Sequence, residues 1–419
     1  MNRRSFLKWM SATGMTLALP RRVGAAPSTG PWDTPRLWVM VHAAGGWDPT
    51  ALCDPKGRQN ESVENPINLY FTDEIVTVGA FQLAPIPGHK EFFEKYANQL
   101  VVFNGVDCAT NSHDAGTRNT WSGKLTEGYP SFSALYAAVA APSYPMSFVT
   151  NGGYDYTAGL VAPTRVGNPD VLAKLAYPNR SDVNDPAAWF QHPEVFEQMK
   201  SARDARLARL QEKQGLPKAL HSQSMLSVAR LGDTPLESLM TYLPPSLDNS
   251  DNLLKRQAEV AVAAFASGLS VAANLTLGGF DTHGNHDESH YPRLQKLLAG
   301  VDYLWELAAT AGIADRLGVL IGSDFGRTPW YNAGKGKDHW SITSMIVMGM
   351  NLEGNRVIGG TDSQFKPLNI DPKTLKLSEK GVRITPEHVH KALRIREFLD
   401  PSPLGAKYPL TAEDLPLFD

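Results

Sequence analysis

Five short runs along the chain are apolar almost throughout: Trp38–His42, Gln99–Asn104, Met146–Asn151, Leu317–Gly322 and Ser344–Met350. They do not alternate between apolar and polar positions. That pattern predicts strands covered on both faces, as in a parallel sheet. A sixth run, VAANLTLGG at 271–279, ends in a glycine pair and reads the same way. Between these runs the period changes. Leu294, Leu297, Leu298, Val301, Leu304 and Leu307 recur every three or four positions, so an amphipathic helix is expected over 291–311. Helical patterns also cover Phe132–Val139 and Leu253–Ser270. Thr385 as N-cap with Pro386 in the first turn starts a late helix that runs to about Leu399. This strand–helix alternation predicts an α/β fold with a mostly parallel central sheet. Pro186–Leu231 breaks the rhythm with a charged, helix-prone stretch, EVFEQMKSARDARLARLQEKQG. A helical insertion over about 186–250 is expected there, either as a cap on the sheet or as a surface helix pair.

Composition changes this picture little. The chain is 42% hydrophobic and 20% charged, ordinary for a globular protein. Residues 27–419 fit one large α/β domain. A net charge of −3 leaves no basic footprint for nucleic acid. The first residues matter more. Arg3-Arg4-Ser5-Phe6-Leu7-Lys8 resembles the twin-arginine export motif, and a short apolar segment and Ala25-Ala26 follow. Residues 1–26 therefore read as an export signal, with the export machinery as a partner and the periplasm or the exterior as destination. The apolar segment is shorter than the roughly 18 residues of a membrane span, and no other run reaches that length. Cys53 and Cys108 are the two cysteines. In an oxidising compartment they either pair or remain isolated thiols.

Candidate chemistry gathers at the ends of the expected strands. Gly45-Gly46-Trp47-Asp48 follows the first. Asp281-Thr282-His283 follows the run ending in Gly278-Gly279. Ser323-Asp324-Phe325-Gly326-Arg327-Thr328 follows LGVLIG, and Lys337-Asp338-His339-Trp340 precedes SMIVMGM. Ligands of open α/β sheets bind beyond the carboxyl ends of strands. If those strands are neighbours, Asp48, Asp281 and Asp324 converge with several imidazoles. Carboxylates so close repel one another unless a cation sits among them. A mixed Asp/His set suits zinc, manganese or magnesium, and an oxygen-dominated one suits calcium or magnesium.

The export motif, GGWD, SHDAGTRNTWSG, FDTH, SDFGRT and KDHW, in this order, resemble a twin-arginine-exported domain-of-unknown-function family related to the alkaline phosphatase and sulfatase superfamily. The resemblance implies an alkaline-phosphatase-like α/β/α sandwich, a divalent metal centre and an anionic ester substrate, phosphate or sulfate. By that resemblance Asp48 and Asp324 bind one metal, and Asp281, His339 and either His283 or His286 bind a second. Position 285 is Asn where the superfamily loop carries histidine, and Phe325 stands where a histidine is usual. His290 is the least suited of the three loop histidines. The nucleophile falls within Cys108–Thr117, where Ser112 and Thr110 are candidates and His113 is a base or a ligand. Cys108 lacks the flanking pattern of a sulfatase formylglycine. Arg327 is a candidate for holding an ester oxyanion or, alternatively, for a salt bridge. Arg118 and Lys124 are weaker candidates of the same kind, and Asp338 is expected to orient a histidine. The altered loop also leaves room for a non-catalytic exported binding or assembly protein on the same scaffold.

Overall fold

Eight strands make the central sheet: β1 (Leu37–Ala44), β4 (Leu100–Asp107), β5 (Phe148–Thr150), β6 (Pro163–Thr164), β7 (Ala272–Gly278), β8 (Leu317–Ser323), β11 (Ile342–Gly349) and β12 (Arg356–Gly359). They lie in the order β12-β4-β11-β8-β1-β7-β5-β6. Two small hairpins complete the strands: β2 (Val76–Val78) with β3 (Phe81–Leu83), and β9 (Gly326–Arg327) with β10 (His339–Trp340). This is a computed structural model, and it describes residues 34–165, 174, 176–182, 185–213, 235–349 and 351–418. The export signal expected over 1–26 lies outside the described residues.

All six apolar runs are strands of the sheet. Every residue of β8 and β11 is buried, as is all of β1 but its last. Successive strand side chains point to opposite faces, so both faces are covered and the architecture is a three-layered α/β/α sandwich. The sheet is mostly parallel, with one departure: β11 runs antiparallel to both its neighbours, β4 and β8. An all-apolar run reports burial on both faces but not direction, so the apolar pattern could not distinguish it.

The helices are α1 (His89–Tyr96), α2 (His113–Ser122), α3 (Phe132–Ala140), α4 (Pro193–Lys213), α5 (Pro235–Tyr242), α6 (Leu253–Ala266), α7 (His286–Thr310) and α8 (Pro386–Arg396). Helix α7 buries Leu294, Leu297, Leu298, Val301 and Leu304, the expected stripe. It begins at His286, five residues before the expected start. Residues 168–240 separate as a compact unit carrying α4, and the sheet belongs to the other unit. Cys53 and Cys108 are both free and buried.

The topology settles one conditional expectation. β1 lies between β7 and β8 and is parallel to both, with Ala44 level with Gly278 and Ala43 level with Ser323. The segments leading to Asp48, Asp281 and Asp324 therefore leave the sheet at one edge.

Candidate metal centre

The turn after β1 must pass between two other strand ends. Gly45 and Gly46 have φ of 121° and 86°. A Cβ on Gly45 would lie 2.5 Å from Asp281 N, and one on Gly46 would lie 2.6 Å from the Phe325 ring. Only glycine fits both the backbone and the space. Trp47 then locks the turn, donating its N–H to Ser323 Oγ (2.8 Å) and its Nε1–H to Thr343 Oγ1 (2.8 Å). The three acidic strand ends meet here, but they do not form one cluster.

Asp48 turns inward and is fully buried. Its Oδ1 accepts from Thr50 N (2.9 Å) and Thr50 Oγ1 (2.7 Å), and its Oδ2 accepts from Lys337 Nζ (2.6 Å). Lys337 is also fully buried and donates to Asn68 Oδ1 at 2.8 Å. The imidazoles beside Asp48 are accounted for proton by proton. Asp48 N donates to His290 Nε2 (2.9 Å), so the His290 proton is on Nδ1, which donates to Thr282 Oγ1 (3.0 Å). Thr282 Oγ1 donates to His286 Nδ1 (2.7 Å), and His286 Nε2 donates to Asp48 Oδ2 (3.1 Å). Burial pushes both histidines below their ordinary pKa, and both are neutral in this scheme. Burial by itself would raise the Asp48 pKa, but Lys337 and the His286 hydrogen bond outweigh it and hold the carboxyl well below the usual range.

This arrangement departs from two expectations. Asp48 is paired with the Lys337 ammonium rather than standing beside Asp324. His286 has no free lone pair, because one nitrogen accepts from Thr282 and the other carries a proton to Asp48. The loop places His283 at the open cluster instead. Asn285, at φ 45°, caps α7, and His286 and His290 sit one turn apart on its buried face.

Asp324 is likewise committed. Trp121 Nε1 can only donate, and it meets His42 Nδ1 at 3.0 Å. The proton of His42 is therefore on Nε2, which donates to Asp324 Oδ1. The other oxygen accepts from Gly45 N (3.2 Å) and from His113 Nδ1 (2.6 Å). Burial tends to raise the Asp324 pKa, and the two histidines bring it below the usual range. In this geometry it fixes the ring of His113.

The open cluster is built around Asp281. His283 Nε2 lies 3.0 Å and His339 Nε2 lies 3.2 Å from Asp281 Oδ1, and His113 Nε2 lies 3.6 Å from Oδ2. Each imidazole is held by its other nitrogen: His113 by Asp324, His283 by Asp338 Oδ1 (2.7 Å), His339 by the Asn111 carbonyl (2.9 Å). Ligand atoms of His113, Asp281 and His339 all lie within 4.8 Å of one another. His283 Nε2 and His339 Nε2 are 3.0 Å apart. A carbonyl and a carboxylate accept protons, so Nδ1 of both rings is the donor. Two bare nitrogen lone pairs then face each other beside a carboxylate oxygen. A proton or a cation among them removes that repulsion. The donor set of His113, Asp281 and His339, with His283 beside it, therefore fits a divalent metal.

Arg327 closes the bottom of the cluster. It is fully buried, and donates to Gly46 O (2.8 Å), Lys337 O (2.9 Å), Gly45 O and Asp281 Oδ1 (2.7 Å). Of the two expected uses the salt bridge to Asp281 is the one formed, and four of the five guanidinium N–H groups are spent within the protein. Burial would raise the Asp281 pKa, but Arg327 leads the groups that lower it, to about 2. Ser112 is exposed at the N-cap of α2 and makes no capping bond with its side chain. Its neighbours Asn111 and His113 both touch the cluster. Lys124 is paired with Glu387 at 2.5 Å. The residues that sequence reasoning missed are His42, Trp121, Asn68 and Lys337 in its pairing role. His42 was legible only as part of an apolar strand, although an imidazole within such a run is itself a signal.

Residues 193–371 match the family described as "Protein of unknown function (DUF1501)". The matched span holds Asp281, His283, Asp324, Arg327 and His339. No curated protein matches the chain. Among solved structures, Ps i-CgsB in complex with k-i-k-neocarrahexaose is 10% identical over 92% of this chain and 76% of its own, with a TM-score of 0.41. The phosphonate monoester hydrolase of Agrobacterium radiobacter is 12% identical over 87% and 74%, at 0.35. A TAB5 alkaline phosphatase mutant is 10% identical over 75% and 90%, at 0.30. Among the described residues, no helix is long and apolar enough to cross a membrane.

Proposed function

We propose that this protein is a metal-dependent hydrolase of phosphate or sulfate esters, with Asp281, His113, His283 and His339 as its metal-holding residues. One observation carries the reading. Three imidazoles, each fixed through Nδ1, aim Nε2 at a single carboxylate. Three nitrogens and one carboxylate favour zinc over calcium or magnesium. A divalent ion held by these residues would supply Lewis-acid polarisation of the ester and stabilise charge on its oxygens. The chain's own groups do the rest. Ser112 Oγ, exposed beside His113, or a water in the same place supplies the attacking oxygen. A bond forms from that oxygen to phosphorus or sulfur, the bond to the ester oxygen breaks, and the alcohol leaves with the proton; where Ser112 attacks, a water then takes the phosphoryl or sulfuryl group and returns the proton to Ser112. Arg327 holds Asp281 in place and ionised, so its part is positioning.

Elemental analysis of the purified protein tests the metal, and a screen of aryl phosphate, phosphodiester and aryl sulfate tests the reaction. The expected result is about one transition-metal ion per chain, lost in Asp281→Ala together with turnover. A metal-free protein that turns over none of the three esters sinks the reading. Metal without turnover favours the alternative, an exported binding or assembly protein on this scaffold. What supports that alternative is the committed state of Arg327, the expected oxyanion contact.

A further inference from the structure

Beside His113 the surface opens into a cavity of about 460 Å³. Asp114, Thr117 and Arg118 of α2 line it, together with Tyr154 and with Thr276 of β7. The cavity and the open cluster share His113, so a ligand held at the cluster extends into this space.

The chemistry of the walls is mixed in a specific way. Asp114 is exposed at the mouth and, when ionised, only accepts hydrogen bonds. Arg118 only donates. Its Nε is fixed by the Leu125 carbonyl at 2.7 Å, and its Nη1 faces the exposed Glu127 at a loose 3.7 Å. Thr276 Oγ1 is buried without a hydrogen-bond partner among the described residues. Tyr154 spends its hydroxyl on the Tyr129 carbonyl (2.6 Å), which leaves its ring as the wall. An acceptor four residues from a donor on one helix matches neither an anion nor a cation throughout. It matches groups that donate and accept at once, which are hydroxyls.

We propose that this cavity receives the alcohol part of the ester, and that this part is polyhydroxylated, of the sugar class. The proposal rests on the reading of the Asp281 cluster as an ester-binding centre. Asp114 and Arg118 are the specificity-determining residues. A flat apolar alcohol offers no partner to the Asp114 carboxylate or to the Arg118 N–H groups beyond those held by Leu125 and Glu127, and is disfavoured for that reason.

The test is direct binding to the full, zinc-loaded chain, by calorimetry or ligand-observed NMR, with four probes: inorganic phosphate, methyl α-glucoside, glucose 6-phosphate and phenyl phosphate. Glucose 6-phosphate is expected to bind about tenfold more tightly than phenyl phosphate. Asp114→Ala and Arg118→Gln should each cut that ratio by about fivefold, as for one lost hydrogen bond to a charged group. Asp114→Ala should not weaken inorganic phosphate. Equal affinity for the two esters, with phosphate bound, overturns the cavity assignment and leaves the ester centre standing. So does a preference that neither variant changes. Methyl α-glucoside binding without phosphate keeps the hydroxyl site and overturns a phosphate-ester centre. Binding of neither overturns the hydroxyl site and the phosphate-ester centre together.

Discussion

Side chains at this site divide by what their second hydrogen bond does. His113, His283 and His339 spend Nδ1 on a carboxylate or carbonyl and keep Nε2 free, whereas His286 and His290 spend both nitrogens in the interior. Removing a partner behind a ligating imidazole typically costs 10–100-fold in metal affinity. His42→Phe, which frees Asp324 to shift, is therefore expected to weaken zinc by roughly tenfold. Competition with a chelator would show it, and an unchanged affinity would rule out the positioning role. Asp48→Ala should behave differently. It leaves the Lys337 ammonium buried and uncompensated, at a cost of about 3–5 kcal/mol. Urea denaturation reads that loss. The metal content of the folded fraction should stay near wild type, because Asp48 does not face the open cluster. Histidine count and spacing pointed to this loop, but which ring keeps a lone pair depends on Thr282, Asp338 and Asn111. Two of these are remote in sequence.

Between elements, the contact that matters most is α2 against the end of β8. A Cβ on Gly116 would lie 2.3 Å from the Asp324 carbonyl oxygen. Gly116→Ala must push the first turn of α2 away from β8 and so lengthen the His113–Asp324 bond, now 2.6 Å. A loss of both stability and metal affinity is expected, with overpacking worth about 1–3 kcal/mol. A thermal melt alongside chelator competition checks it, and a melt unchanged from wild type would contradict the packing argument. Gly326 has a similar constraint, since its Cβ would lie 1.9 Å from the Ile342 carbonyl oxygen. Gly326 thus lies against the start of β11, and its strand β9 pairs with β10, which brings Arg327 level with His339. The glycines in GGWD and SDFGRT were visible in the sequence as turn residues. Their tight contacts were not, because each involves atoms from another segment: the Asp281 backbone for Gly45, the Phe325 ring for Gly46 and the Ile342 backbone for Gly326.

Across the whole molecule, buried neutral histidines couple folding to pH. His390 is held by burial down to about 4, with Nε2 donating to the Thr120 carbonyl at 2.7 Å. Its folded pKa lies below its unfolded value of 6.5. The unfolded chain therefore binds the proton first, and stability falls as pH drops from about 6.5 toward about 4. The full contribution of this one group is about 3 kcal/mol at most. His390→Gln retains an amide donor for Thr120 and removes the titration. Its urea midpoint should fall less steeply between pH 7 and pH 4 than that of the wild type. Parallel curves would show that His390 does not titrate in that window.

The chain's own order of residues determined a good deal. Runs such as LWVMV and LGVLIG specify strands buried on both faces, because apolar side chains on both sides must leave water. The Leu294–Leu304 stripe specifies a helix for the same reason. The acidic and histidine residues just beyond those runs specify chemistry at the strand ends. Only the tertiary structure decided which of them share a site. Strand order brings the ends of β1, β7 and β8 to one edge, yet Lys337, about 290 residues from Asp48, draws that carboxylate into the interior. Asp281, which has no such partner below it beyond Arg327, stays at the open face among three imidazoles. A local pattern encodes what each residue can bind. Which bond it makes depends on charges supplied from far along the chain, and those meet only when the sheet has formed.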